Sequence, residues 1–278
     1  MKIKDILHET SQTLINFGIP DANLEAEVLI RYVLKIDRET IFQDLEKNLS
    51  KDQEYAICSV IEKRRSYYPL SYIIGKREFY GIELMVNENV LIPRQETELL
   101  VDQVINVSNN HILKIVDVGT GSGAIAIAIA TMLPEVKIIA TDISIDALRV
   151  ADENIKINGV SNRVSLRKSN LLDLINEKVD VIVSNPPYIP TNEIPNLQLE
   201  VQKEPYIALD GGHDGIDYIR KLISDAGSKL NKNGHIFIEI DPSQAKEVLK
   251  IAYEYFPNAQ SEIIKDLSKN DRVLAIHT

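Results

Sequence analysis

Residues 112–132 read ILKIVDVGTGSGAIAIAIATM: an apolar run, a turn rich in glycine, then alternating alanine and isoleucine. The run Ile112–Val118 predicts a strand buried on both faces, and Ala124–Met132 predicts a helix. The turn between them is Asp117-Val-Gly-Thr-Gly-Ser-Gly123. Its glycines, Gly119, Gly121 and Gly123, let backbone pass close beneath a ligand, and the start of the following helix offers N–H groups with no intrahelical partner. Thr120 and Ser122 lie between them. Gly119, Gly121 and Ala124 also satisfy G-x-G-x-x-A. Asp142 follows about 20 residues on, at the end of the next strand, where a carboxylate can hold ribose hydroxyls. On these residues alone NAD and S-adenosylmethionine both fit.

The alternation continues outward. Lys137–Ala140, Arg163–Arg167, Val179–Val183 and His235–Ile240 read as strands. Asp146–Asn158, Tyr218–Leu230 and Gln244–Phe256 read as helices. Strands separated by helices at this spacing predict an α/β fold with a parallel sheet covered on both faces. The last two strands, Glu262–Lys265 and Arg272–His277, are too close for a crossover helix and must pair antiparallel. Residues 1–68 read as a small helical bundle. Leu24, Val28 and Tyr32 repeat at helical spacing, with Ala22, Ala26, Leu29 and Val33 widening the apolar face. Asp21 is a candidate N-cap, and Ser50-Lys51-Asp52-Gln53 is a capping box. Residues 69–95, punctuated by Pro69, Gly75, Gly81 and Pro93, read as a β-hairpin linker, and 96–278 as the catalytic domain.

The composition narrows the classes of function. The chain has 278 residues, 44% of them apolar, with a net charge of −10, a single cysteine and five histidines. This is a globular composition, so disordered and collagen-like classes drop out. Cys58 alone can form no internal disulfide. His8, His111, His213, His235 and His277 are scattered without ligand spacing, so no metal is expected. Residues 1–75 carry 10 basic and 12 acidic side chains and the rest 21 and 29. Neither part has the basic excess of a nucleic-acid binder. The N-terminus lacks the apolar core of a signal peptide, and the longest apolar run, Ala124–Leu133, is about half a membrane span. A soluble cytoplasmic monomer is the expectation. Lys63-Arg64-Arg65 reads as a solvated cluster complementing a helix end. Glu96 reads as a cap or inter-domain contact.

Two features favour S-adenosylmethionine. Asp117 ahead of the glycines suits the cationic end of an amino-acid-bearing cofactor and crowds a pyrophosphate. Directly after the strand ending at Ser184 comes Asn185-Pro-Pro-Tyr188, at the strand end where ligands bind in such sheets. Pro186 and Pro187 stiffen the turn and donate no hydrogen bonds. The Asn185 side-chain oxygen and the Pro186 carbonyl offer two acceptors for the two hydrogens of a planar NH₂ group, and Tyr188 offers an aromatic wall. An amide nitrogen is a weak nucleophile. Holding both of its hydrogens aligns it and raises its electron density, with no metal required, and alignment alone can contribute roughly 7–11 kcal/mol.

Asp117–Gly123 together with Asn185–Tyr188 resembles the class I S-adenosylmethionine-dependent methyltransferases that act on NH₂ groups. Pro69–Gly75, Glu78–Gly81, Leu91–Glu98, Asp180–Pro190, Glu204-Pro205 and Ala208–Gly212 resemble, more closely, the bacterial release factor glutamine methyltransferase family. The resemblance implies a mostly parallel methyltransferase sheet with an antiparallel last strand. It implies transfer of a methyl group to N5 of the glutamine in the Gly-Gly-Gln motif of peptide chain release factors, with S-adenosylhomocysteine as product. Gly119–Gly123 and Asp142 would hold the cofactor, Asn170 and Leu171 would flank its adenine, and Asn185, Pro186, Pro187 and Tyr188 would hold the glutamine. Asn185 would also border the cofactor. Residues 1–68 would dock the release factor. The family usually has Asp at the position of Asn170, a bulkier residue at Leu171, proline at Gln95 and glycine at Asp241. Two other readings stand beside it: an adenine-N6 methyltransferase on DNA or RNA, with Tyr188 stacking on a flipped base, and a non-catalytic binding module.

Overall fold

The computed structural model describes residues 1–108 and 113–278, so His111 and the first residue of the expected strand, Ile112, lie outside the described residues. The chain divides into two compact units. One is Met1–Gly75 with Gln198–Lys203, and the other is Lys76–Leu197 with Glu204–Thr278.

The first unit holds α1 (Ile3–Asn16), α2 (Ala22–Leu34), α3 (Arg38–Gln43), α4 (Lys51–Arg65) and α5 (Leu70–Ile74). The face that α2 buries is Ala22, Ala26, Leu29 and Ile30, whereas Leu24 and Tyr32 are 52% and 44% exposed. Ala22, Ala26 and Leu29 are thus buried as expected, while the Leu24 and Tyr32 edge of the expected face is not, and Ile30 takes its place. The capping box at Ser50 is present, with Ser50 Oγ accepting from Gln53 N and Gln53 Oε1 accepting from Ser50 N. Asp21 precedes α2 in the left-handed region (φ 52°) and makes no side-chain cap. The expected solvated basic cluster needs correction. Arg64 is fully buried, paired through Nε and Nη2 with Glu25 and through Nη2 with Glu200. Its partner Glu200 lies 136 residues away in sequence, so no local pattern could reveal it.

The second unit opens with the hairpin β1 (Lys76–Phe79) and β2 (Ile82–Met85), turned at Tyr80-Gly81, both with positive φ as a tight two-residue hairpin requires. Next come α6 (Glu98–Val107), β3 (Lys114–Val118), α7 (Ala124–Met132), β4 (Lys137–Asp142), α8 (Ile145–Ile157), β5 (Val164–Lys168) and β6 (Val179–Ser184). The chain ends with α9 (Asp217–Ala226), β7 (Leu230–Glu239), α10 (Ala245–Tyr255), β8 (Gln260–Lys265) and β9 (Asp271–His277). The sheet order is β5-β4-β3-β6-β7-β9-β8. Neighbours from β5 to β7 run parallel, and β9 pairs antiparallel with both β7 and β8. Residues 227–230, expected to continue the helix begun at Tyr218, instead leave it: α9 ends at Ala226 and Leu230 already pairs with Val179.

The strands are apolar on both sides because both faces are covered. Ile115, Val181 and Val183 pack toward α6 and α7; Val116, Val118 and Ile182 pack toward α9 and α10. Helix α7 is buried from Ala124 through Ala130, which explains why its sequence shows no polar face. Buried Asn154 on α8 fixes the hairpin to the glycine turn: its carboxamide accepts from Met85 N (2.7 Å) and donates to Met85 O and Ser122 O (2.9 Å each).

Removing Arg64 leaves two carboxylates without their shared cation. We expect Arg64→Met to destabilise the first unit by about 3 kcal/mol, the scale of a broken buried ion pair. Urea unfolding followed by circular dichroism measures this, and a loss below about 1 kcal/mol would place the cluster among the energetically minor surface pairs.

Candidate active site

The sheet reverses direction of growth at β3: β4 and β5 lie on one side, β6 and β7 on the other. Ligands bind beyond the carboxyl ends of strands at such a switch point. A cleft lies there, enclosing about 1030 Å³ with its open mouth included. Gly119, Thr120, Gly121, Ser122, Asp142, Asn170, Leu171, Asn185 and Pro187 line it, together with Val90, Pro93, Thr97 and Tyr218 among others.

The glycine turn is held against β4. Thr120 N donates to Thr141 O (2.8 Å), and Gly121 N donates to Asp142 Oδ2 (2.9 Å). Gly119 and Gly121 adopt φ of +72° and +56°, a region that L side chains rarely enter. A Cβ at Gly121 would meet nothing within 4 Å, and one at Gly119 only Asn185 O at 3.9 Å, so the space above the turn is open. Gly123 serves packing instead, since a Cβ there would press on Ile127 and Ala151. Asp142 also accepts from Ser144 N (2.8 Å), and burial pushes its pKa up. Leu171 takes a positive φ of 48° and lines the cleft beside Asn170.

Asp117 does not line the cleft. It is wholly buried at the end of β3, where Thr120 Oγ1 donates to its Oδ2 (2.6 Å) and its Oδ1 has no partner. Burial pushes its pKa up to about 7, and the Asp142 charge adds to the rise. An unsatisfied buried carboxylate oxygen beneath an open backbone cradle is suited to a cationic group entering from above. With Asp142 at the next strand end and apolar Leu171 and Ile143 beyond it, the donor set fits an amino acid joined to a nucleoside.

Asn185 leaves β6 into the cleft, its Nδ2 donating to Thr97 Oγ1 (3.0 Å). Pro186 and Tyr188 do not line the cleft. The Tyr188 ring packs against the core beneath β7 and its hydroxyl donates to Glu239 Oε1 (3.2 Å), while burial raises its pKa. Gln244 Nε2 holds the end of the turn by donating to Tyr188 O (2.8 Å) and Gly215 O (3.2 Å). Glu239, the last residue of β7, is 1% exposed and burial pushes its pKa up as well. Arg94 and Ile92 N both bond Glu204, joining the segment 91–98 to the segment at Pro205. Glu98 accepts from Tyr80 N (2.7 Å), so the two glutamates at 96 and 98 form no acid–base pair. Among the described residues no group of three or more His, Cys, Asp or Glu could hold a metal, and no helix is long and apolar enough to cross a membrane.

The sequence reasoning missed Thr97 and Glu239. Thr97 reads as an ordinary helix cap. Glu239 carried a usable signal: it is a lone charge in the strand Ile236–Ile240, where both sheet faces demand apolar residues.

The raised pKa of Asp117 makes a ligand-free prediction. Unfolded, the carboxyl loses its proton near 3.8; folded, near 7. Between these values the native state binds more protons, so stability falls as pH rises. Asp117→Asn cannot ionise and escapes that loss. The variant should gain on the wild type by up to about 4 kcal/mol between pH 4 and 7.5, at 1.36 kcal/mol per unit. Urea unfolding across that range checks it, and a difference independent of pH would mean that Asp117 ionises freely in the fold.

Comparison with known proteins agrees with this geometry. Residues 5–75 match the PrmC N-terminal domain and residues 95–200 the methyltransferase small domain. A release factor glutamine methyltransferase of Moorella thermoacetica is 37% identical over 98% of this chain and 97% of its own length. A bifunctional methyltransferase of Rickettsia felis is also 37% identical over 98% of the chain, which spans only 57% of that longer protein. A crystal structure of a methyltransferase from Pyrococcus furiosus superposes with a TM-score of 0.53 at 19% identity, covering 71% of this chain and 89% of its own, a likeness of fold. With the identity running nearly end to end in the Moorella protein, the chain belongs to the release factor glutamine methyltransferase family.

Proposed function

We propose that the chain methylates the side-chain amide nitrogen of the glutamine in the Gly-Gly-Gln motif of peptide chain release factors, with S-adenosylmethionine as methyl donor. The observation that carries this reading is the Asn185 carboxamide, whose Nδ2 is committed to Thr97 in a cleft shared with the glycine turn and Asp142. Its Oδ1 is thereby left to accept from a ligand. S-adenosylmethionine brings a methyl group on a positively charged sulfur, reactive without a metal. Asp142 would accept from its ribose hydroxyls, Asn170 and Leu171 would border its adenine, and Asp117 would stabilise its cationic amino-acid end. Asn185 Oδ1 accepts one hydrogen of the glutamine NH₂, whereas Pro186, expected to supply the second acceptor, stands outside the cleft lining. Held in this way, the nitrogen would lie in line with the methyl–sulfur bond of a bound donor: the N–C bond would form as the S–C bond breaks, the sulfur leaving as the neutral thioether S-adenosylhomocysteine and one amide proton passing to solvent. The stiff Pro186-Pro187 turn keeps Asn185 in place at little entropic cost. The reading carries with it a protein substrate rather than a nucleic acid, and a cytoplasmic site of action.

Asn185→Ala should lower kcat at least about 100-fold, the scale of a lost transition-state hydrogen bond, with the S-adenosylmethionine dissociation constant nearly unchanged. Transfer of labelled methyl to purified release factor measures this. Single-turnover rates within a few-fold of wild type would exclude the acceptor role.

A pocket for an amide cannot distinguish one glutamine from another, because one methylene is worth only ~1–3 kcal/mol. Choice of protein must come from a remote surface, and the first unit supplies a candidate. Leu24 and Phe42, 52% and 50% exposed, border an open groove with Lys4, His8 and Arg38. Leu24→Asp combined with Phe42→Asp should cut kcat/KM on intact release factor about 10-fold or more, as loss of a pair of apolar anchors does. Activity on a short Gly-Gly-Gln peptide should be spared. Equal losses on both substrates would remove the docking role.

A further inference from the structure

Thr97 stands immediately before α6 with helical backbone angles (φ −66°, ψ −21°), yet its side chain makes no capping hydrogen bond. A threonine at a helix start ordinarily turns its oxygen onto the first free N–H groups. Here the residue is 4% exposed and its hydroxyl faces the other way, taking the Asn185 Nδ2 hydrogen at 3.0 Å. The Glu239 carboxylate, whose pKa burial raises, is favoured in its charged form by the Thr97 side chain. It is almost completely buried, it accepts from the Tyr188 hydroxyl at 3.2 Å, and its Oε2 has no hydrogen bond of ordinary geometry.

The polarity of this chain of groups is determined by what each can do. An ionised carboxylate only accepts, and a hydroxyl has one proton to give. Thr97 stabilises the charge on Glu239, so its proton is drawn toward the carboxylate. Its lone pairs then face Asn185, and only the NH₂ end of the Asn185 carboxamide can meet them. The two ends of a carboxamide have the same shape and opposite hydrogen-bonding character. Reversed, Asn185 would present N–H groups to the N–H groups of a substrate amide.

We propose that Thr97, oriented by Glu239, is a positioning residue that sets the Asn185 carboxamide with its Oδ1 toward the substrate nitrogen. The inference rests on the glutamine-methylation reading above, and it adds a directional element that the Asn-Pro-Pro-Tyr turn does not contain. Glu239 acts through Thr97 and does not itself meet the substrate.

The test compares Thr97→Val, which keeps the shape and removes the hydroxyl, with Thr97→Ser, which keeps the hydroxyl. Thr97→Val should lower kcat by about 10- to 100-fold, as small misplacement of a catalytic group does. KM for release factor and the S-adenosylmethionine dissociation constant should stay within a few-fold. Thr97→Ser should restore most of the rate. Glu239→Gln brings an NH₂ group that can donate to Thr97 and reverse the chain of hydrogen bonds, so it too should lower kcat while cofactor binding persists. On an Asn185→Ala background, Thr97→Val should cost nothing further, because the group it orients is gone. Wild-type kcat in both Thr97→Val and Glu239→Gln, or a full additional loss on the Asn185→Ala background, would overturn the positioning role. If Thr97→Val loses cofactor binding through misfolding, the Glu239→Gln and Thr97→Ser pair decides the question by the same measurements. Full activity of Asn185→Ala would instead overturn the acceptor reading on which the proposal stands.

Discussion

β3 and β6 leave the sheet side by side. Val118 is paired with Ser184 across the parallel ladder, and the Ser184 hydroxyl donates to the Val118 carbonyl at 2.7 Å. Everything downstream depends on that adjacency. The residue after Val118 begins the glycine turn and the residue after Ser184 is Asn185, so the proposed cofactor cradle and the proposed amide acceptor emerge at neighbouring strand ends. Both strands are buried on two faces, and a slip in register would move Asp117 or Ser184 to the opposite face. Packing of Ile115 and Val183 on one side and Val116 and Ile182 on the other therefore also sets the distance between the two halves of the site.

The site is expensive in the currency of folding. Asp117 and Glu239 are nearly or completely buried at the ends of β3 and β7, each with an oxygen lacking a partner and each with its pKa raised by burial. Neither would be kept for stability alone, since unpaired buried carboxylates oppose folding. Their positions make the cost intelligible. Asp117 lies under the glycine turn, where a cationic group would complete it. The Thr97 side chain favours the charge on Glu239, and under the proposed positioning role an acceptor-only group there would give the Thr97 hydroxyl its direction.

The strands and helices of the second unit were legible because a covered parallel sheet writes itself as short apolar runs between helical stretches: Ile115–Val118, Val181–Val183 and Ile236–Ile238 needed no partner to be recognised. The antiparallel end followed from the short connection between β8 and β9. The glycine turn, Asp142 and Asn185 were legible because their chemistry is local to a few residues. Arg64, Thr97 and Glu239 were not, since each owes its role to a partner far along the chain: Glu200 for Arg64, Asn185 for Thr97, Tyr188 for Glu239. One edge of the expected α2 face, Leu24 and Tyr32, failed for a related reason. Apolar spacing gives the period of a helix, but which stripe is buried depends on where small residues permit approach, and Ala22 and Ala26 outweighed Leu24 and Tyr32.

The same division separates recognition of an amide from choice of a protein. Recognition of NH₂ by an acceptor on a stiff turn is a short-range property which four consecutive residues can encode. Discrimination among glutamines cannot reside in those residues, because every glutamine presents the same amide to them. It needs contact area on a second surface, and contact area is spread over residues with no motif of their own. Leu24 and Phe42, proposed for that surface, are half-exposed and apolar and carry no chemical signature. A chain that must find one glutamine among many therefore carries its chemistry in strings that can be read and its specificity in a surface that must be folded before it can be seen.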